Sequence, residues 1–135
     1  MNAKIFVNLP VKDLKKSMDF FKQLGFEYDS RFTDENAACM IISKDSYVML
    51  LVEDFFKTFT KKEISDAAKN TEVIVALNVD SKDEVDELAN KALAAGGKYS
   101  NDPMNLGFMY GRSFQDLDDH LWEIGYVELG PVNKE

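Results

Sequence analysis

His120, Trp122 and Glu123 crowd the end of the chain in QDLDDHLWEIGY, residues 115–126, where the only histidine and the only tryptophan stand beside a carboxylate. Such a group fits a metal site, a catalytic acid or base, or a tight turn between two strands with no chemistry at all. Residues three apart on a strand face opposite sides, so His120 and Glu123 point apart. Trp122 also points away from Glu123, which suits a core residue beneath a helix. His120 is either a ligand or base, as the side chain whose ordinary pKa lies nearest neutrality, or simply the residue after the DLDD turn. Cys39, in the strand-like run AACMII, has no neighbouring acid or histidine to activate it and reads as an inert buried thiol.

A chain of 135 residues is long enough for one domain with a sizeable core, and an apolar fraction of 45% is that of a folded protein. The net charge of -8 and pI near 4.7 repel phosphate backbones and anionic membranes, and no basic patch offsets them, so neither nucleic acid nor membrane is expected as a partner. The start, MNAKIFVNLPV, is broken by Asn8 and Pro10 and is too short for a signal peptide. No run approaches the ~20 apolar residues of a membrane span, which gives a cytoplasmic expectation. A lone cysteine agrees with it.

The elements that must position these residues come in two similar sets. KIFVNLPV (4–11) suits a strand, and Leu14, Met18 and Phe21 recur with helical spacing before Gly25 closes the helix. FEYDSRF, NAACMIIS and SYVMLLVE follow as strands separated by turn residues. A connector rich in charge and in Phe55, Phe56 and Phe59 leads to TEVIVALNVD, a strand, and SKDE (81–84), a capping box that opens a second, longer helix through Val85, Leu88, Ala89 and Ala92. GKYSNDP, NLGFMYGRSFQ and HLWEIGYVE complete the set. IFVNLPV against VIVALNV, offset by 68 residues, marks an internal repeat of β-α-β-β-β.

NLPVKDLKKSMDFFKQLGF, ALNVDSKDEVDEL, AAGGK and FQDLDDHLWEI, in that order, resemble the sequence pattern of the vicinal oxygen chelate superfamily of glyoxalases, bleomycin and fosfomycin resistance proteins and extradiol dioxygenases. The resemblance covers nearly the whole chain and is strongest to small bacterial proteins labelled predicted lactoylglutathione lyases. It implies an α+β fold of two tandem β-α-β-β-β modules forming a cup-shaped mixed sheet. One domain, 1–135, would comprise module one at 3–53, a connector at 54–70 and module two at 71–128.

The resemblance also implies four metal positions on the first and last strands of each module, and these align with Phe6, Leu50, Ile74 and Glu123. Three of the four are hydrocarbon, so no metal and no other cofactor is expected. A register shift of one would bring Asn8 or Asn78 to such a position, and an amide oxygen is a feeble ligand for a transition metal. Glu123 among Phe6, Leu50 and Ile74 must find a cation, with Arg112 and Arg31 as candidates, or take up a proton. Met109, Tyr110 and Arg112 lie on the neighbouring strand, and turn length decides which of them face the cup. With Phe6, Asn8, Leu50 and Ile74 they form the expected ligand-binding set around a catalytic candidate, Glu123.

Two function classes follow from this site. One is a metal-free protein binding a small organic molecule in the cup. The other is an enzyme of the glyoxalase type, a lyase, isomerase or dioxygenase, using Glu123 as base or a metal at other ligands. Open strand edges and an exposed apolar face lead to an expected homodimer, with Phe55, Phe56 and Phe59 at the interface or as a lid.

Overall fold

The computed structural model describes residues 1–128. Strand β1, Ile5–Val11, buries Leu9 and Val11 on one face and leaves Phe6 and Asn8 on the other. Helix α1, Leu14–Gln23, starts where the Asp13 carboxylate accepts the Lys16 N–H. Such a cap contributes about 1 kcal/mol. The helix buries Leu14, Ser17, Phe20 and Phe21, so its inner face is rotated from the one that Met18 marks. Gly25, at φ 105, then turns the chain back.

β2 is only Glu27–Tyr28. The strand expected to run through Phe32 stops because the Asp29 carboxylate accepts the Arg31 N–H and pairs with its guanidinium at 2.7 Å, winding 30–32 into a single 3-10 turn. β3, Ala37–Ser43, and β4, Ser46–Val52, pair antiparallel, and β4 runs parallel to β1, giving the order β1-β4-β3-β2. α2, Glu53–Phe56, leads into the connector and packs at β1 and β4.

The second half repeats this plan. β5, Ile74–Asn78, is followed by α3, Lys82–Ala94, then β6, Lys98–Tyr99, β7, Met104–Asn105, β8, Met109–Gln115, and β9, Leu121–Val127. The order is β5-β9-β8-β6, with β7 also on β8 and β5 parallel to β9. The capping box forms: Ser81 Oγ accepts the Glu84 N–H, and the Glu84 carboxylate reaches one residue further back than expected, to the Asp80 N–H.

The helix-facing sides of both sheets share one core, with Leu9, Val11, Met40, Val48 and Leu50 from the first module and Val75, Phe114, Trp122 and Ile124 from the second. α1 joins them, its Phe20 ring 6.1 Å from Phe114 and its Phe21 ring 5.0 Å from Trp122. Among the described residues, the other face of each sheet carries no packed helix apart from the short α2, whose Phe56 stands beside Asn8 at the end of the first sheet. No helix among the described residues is long and apolar enough to cross a membrane.

Gly97 is where α3 meets β8. A Cβ there would stand 2.8 Å from the Ala92 carbonyl and 3.0 Å from the Gln115 carbonyl, both backbone atoms that cannot swing aside. We expect Gly97→Ala to cost about 1–3 kcal/mol, read as a lower urea midpoint at unchanged slope.

Candidate functional site

The clustered residues at the chain's end resolve first into a turn. Asp116, 2% exposed, sits between β8 and β9, and its carboxylate accepts the N–H groups of Asp118 at 2.9 Å and His120 at 3.0 Å and the indole N–H of Trp122 at 2.9 Å. Burial pushes its pKa above the ordinary carboxylate range, against the opposing pull of His120 and of these hydrogen bonds. Asp119 takes φ 66, a left-handed position that aspartate tolerates.

The turn also clasps the first module. His120 Nε2 lies 2.7 Å from the Pro10 carbonyl oxygen, which can only accept, so this nitrogen carries a proton and donates it. Asp118 accepts from the Lys12 N–H at 2.9 Å and from the Ser17 hydroxyl at 3.1 Å. His120 therefore fastens one module to the other. Asp116 and Asp118 went unnoticed as individual residues in the sequence, where a short acidic turn beside the single Trp was the available signal.

Alternation sorts the rest. Phe6, half-exposed, stacks on Tyr47 at 4.7 Å on the helix-free face of the first sheet, and Ile74 is half-exposed on β5. Leu50 is different: it is wholly buried in the shared core, paired with Leu9, so it faces the helices and not the cup. Met49, opposite Asn8, and Leu51, opposite Pro10, hold the other face of β4. The run VMLLV is apolar on both sides, so its parity is invisible in sequence, and a slip of one residue exchanges the faces.

Tyr110 and Arg112 also face the helices. The Tyr110 hydroxyl donates to Asp86 of α3 at 2.6 Å, and Arg112 donates to Asp86 at 3.2 Å and to Asn90 at 2.9 Å. The Tyr110 hydrogen bond, more than the guanidinium, holds Asp86 below the usual carboxylate range, and the same bond raises the Tyr110 phenol. Arg31 is engaged by Asp29. Neither expected cation thus reaches Glu123, which is exposed rather than buried and makes no hydrogen bond or ion pair to the described residues.

Glu123 instead borders a cavity of about 230 Å³ on the helix-free face of the second sheet, with Ala76, Asn78, Met104, Met109 and Ser113, over a floor made by Gly111 and Gly125. A second cavity, about 290 Å³, lies under the connector between Asn8, Pro10, Phe56, Ile64, Val73 and His120. The expected site residues are therefore divided. Glu123 and Met109 share the first cavity, with Arg112 at its edge, Asn8 lines the second, and Phe6 and Ile74 line neither. Phe56 roofs the connector cavity, while Phe55 and Phe59 pack edge to face at 5.1 Å, and Phe59 is largely exposed.

Buried Cys39 has its thiol pushed up, first by burial and then by the Asp29 charge, which disfavours a nucleophile. Among the described residues, no three His, Cys, Asp or Glu side chains stand together as a metal could require.

Comparison with known proteins agrees with this geometry. The sequence model of the Glyoxalase/Bleomycin resistance protein/Dioxygenase superfamily matches residues 5–124. The hypothetical protein SA1046 from S. aureus is 30% identical, superposes with a TM-score of 0.78, and the match covers 91% of this chain and 92% of that one. A glyoxalase-related enzyme from Fulvimarina pelagi superposes at 0.80 with 18% identity over 98% of this chain and 94% of its own. The fosfomycin resistance protein FosX from Listeria monocytogenes superposes at 0.68 with 20% identity over 100% and 96%. No protein of curated function matches in sequence. The repeated topology, the family match over residues 5–124 and the likeness to SA1046 agree, and the chain belongs to the glyoxalase/bleomycin resistance protein/dioxygenase superfamily.

Proposed function

We propose that this protein binds a small organic molecule on the helix-free face of its second sheet, and that it does so without a transition metal. The carrying observation is the cavity bordered by Glu123, whose walls are mostly Met104, Met109, Val127 and backbone. The donor set does not fit the metal that the fold family implies. Phe6 and Ile74 offer only hydrocarbon, β4 presents Met49 and Leu51 on that face, and one carboxylate holds a divalent cation weakly.

Elemental analysis of gently purified protein should find well under one Zn, Ni, Fe or Mn per chain. About one per chain would overturn the metal-free reading.

An enzyme of the glyoxalase lyase or isomerase type is the second reading, favoured by one observation: Glu123 is a carboxylate without a partner among the described residues, at the edge of an apolar cavity. Glu123→Gln separates the two, since it abolishes turnover if the carboxylate is a base, whereas a binder shows no turnover in either form.

We also propose a homodimer. Phe6, Ile74, Met104 and Phe108 are each 47–61% exposed on or beside the helix-free faces, and a second copy could cover them. Light scattering at micromolar concentration should give twice the chain mass. A monomer would reject the pairing.

A further inference from the structure

Gly111 of β8 and Gly125 of β9 are direct cross-strand partners in the middle of the second sheet. Nothing in the fold demands glycine at either position. Neither has a positive φ. A Cβ at Gly111 would meet nothing nearer than the Ile124 carbonyl at 3.6 Å, and one at Gly125 nothing nearer than the Tyr110 carbonyl at 3.7 Å, which is ordinary contact. Glycine weakens a strand interior, and where conformation and crowding do not explain it, it marks close approach of a ligand or another backbone.

The pair leaves a strip of bare peptide as the floor of the Glu123 cavity. Register gives its borders on the same face: Met109 opposite Val127 at one end, Ser113 opposite Glu123 at the other. Four residue steps along the strand separate the two borders, about 13 Å, which admits one ring with a short substituent. The ends differ in chemistry. Met109, Val127 and Met104 are apolar and suit a ring edge or face. At the other end the Ser113 hydroxyl already accepts the Asn101 N–H, so among the described residues Glu123 is a charged group there with no side-chain partner.

Charge completes the description. The cavity borders two carboxylates, Glu123 and Asp102, and Asp102 accepts the Tyr99 hydroxyl. Among the described residues, the one basic residue at its edge is Arg112, which turns its guanidinium to Asp86 and Asn90 on the helix side.

We propose that this cavity receives a small planar aromatic cation, its ring flat on Gly111 and Gly125 and its N–H donors on the Glu123 carboxylate. The inference rests on the small-molecule reading above and names its ligand class. Three probes of similar size separate the two claims: benzamidinium, planar and cationic; benzoate, planar and anionic; and cyclohexylammonium, cationic and not planar. Each is titrated into the full-length protein while the amide resonances of Gly111 and Gly125 are followed.

Benzamidinium should shift both resonances and bind about tenfold more tightly than either other probe, as one charge-assisted hydrogen-bonded pair allows. Glu123→Gln should remove that advantage, and Gly125→Val should abolish binding while the protein still melts cooperatively. Should Gly125→Val fail to fold, Gly111→Ala serves instead and should weaken the two planar probes more than cyclohexylammonium. Benzoate binding as tightly, or Glu123→Gln binding benzamidinium unchanged, would overturn the cation and leave the small-molecule site standing. Equal binding of cyclohexylammonium would overturn the planar floor. If no probe moves either glycine, both the ligand class and the site are wrong.

Discussion

Asp116→Ala should melt far below wild type, although residue 116 touches no candidate ligand site. Its carboxylate is the common acceptor for the N–H groups of Asp118, His120 and Trp122 and is 2% exposed. The indole donor is buried and the two backbone donors are part-buried. A buried donor left without a partner costs about 1–3 kcal/mol and a part-buried one less, so a loss of roughly 3–5 kcal/mol is expected from a domain stable by about 5–15 kcal/mol. Asp116→Asn, which keeps one acceptor oxygen, should lose less.

The same residue carries a pH signature. Its folded pKa is raised above the unfolded value, so the stability linked to its proton is fully present below the ordinary aspartate range and is lost as pH rises through the raised value. Asp86 works the opposite way: its pKa is lowered, and its share is lost as pH falls. Melting temperature against pH for wild type and Asp116→Asn isolates the first effect, because the variant should lack that decline with rising pH.

Trp122→Ala should be similarly severe. The indole is fully buried, 5.0 Å from Phe21 of α1 and 6.2 Å from Phe114 in a parallel arrangement, so truncation opens a hole where the two modules meet. Such truncations cost about 3–5 kcal/mol. Because the indole N–H is also a donor to Asp116, the two losses should not add. Urea unfolding of Asp116→Ala, Trp122→Phe and the double variant tests this, and simple additivity would show that the clasp and the core act independently.

What could be read from the sequence was what local patterns decide. The cap at Ser81, the DLDD turn and the opposed faces of Trp122 and Glu123 depend on a few neighbouring residues, and all are present. Leu50 was misplaced because VMLLV carries no alternation. Tyr110 and Arg112 were open because the hairpin before them, with Gly107 at φ 85, sets their parity. The isolation of Glu123 was invisible for another reason: Arg112 is taken by Asp86, 26 residues away on α3, and only the packed fold brings that competitor near. The expected strand through Phe32 failed on one local contact, the hold of the Asp29 carboxylate on the Arg31 N–H and guanidinium.

The central claim is that the Glu123 cavity is a metal-independent small-molecule site. A fragment mixture titrated in the presence of EDTA, with every backbone amide resonance followed, tests it most directly. The account predicts that the largest shifts fall on Met109–Ser113 and Glu123–Val127, the strands that floor that cavity. Shifts confined to the connector cavity of Asn8, Phe56 and His120, or binding that appears only when a divalent metal replaces EDTA, would contradict it.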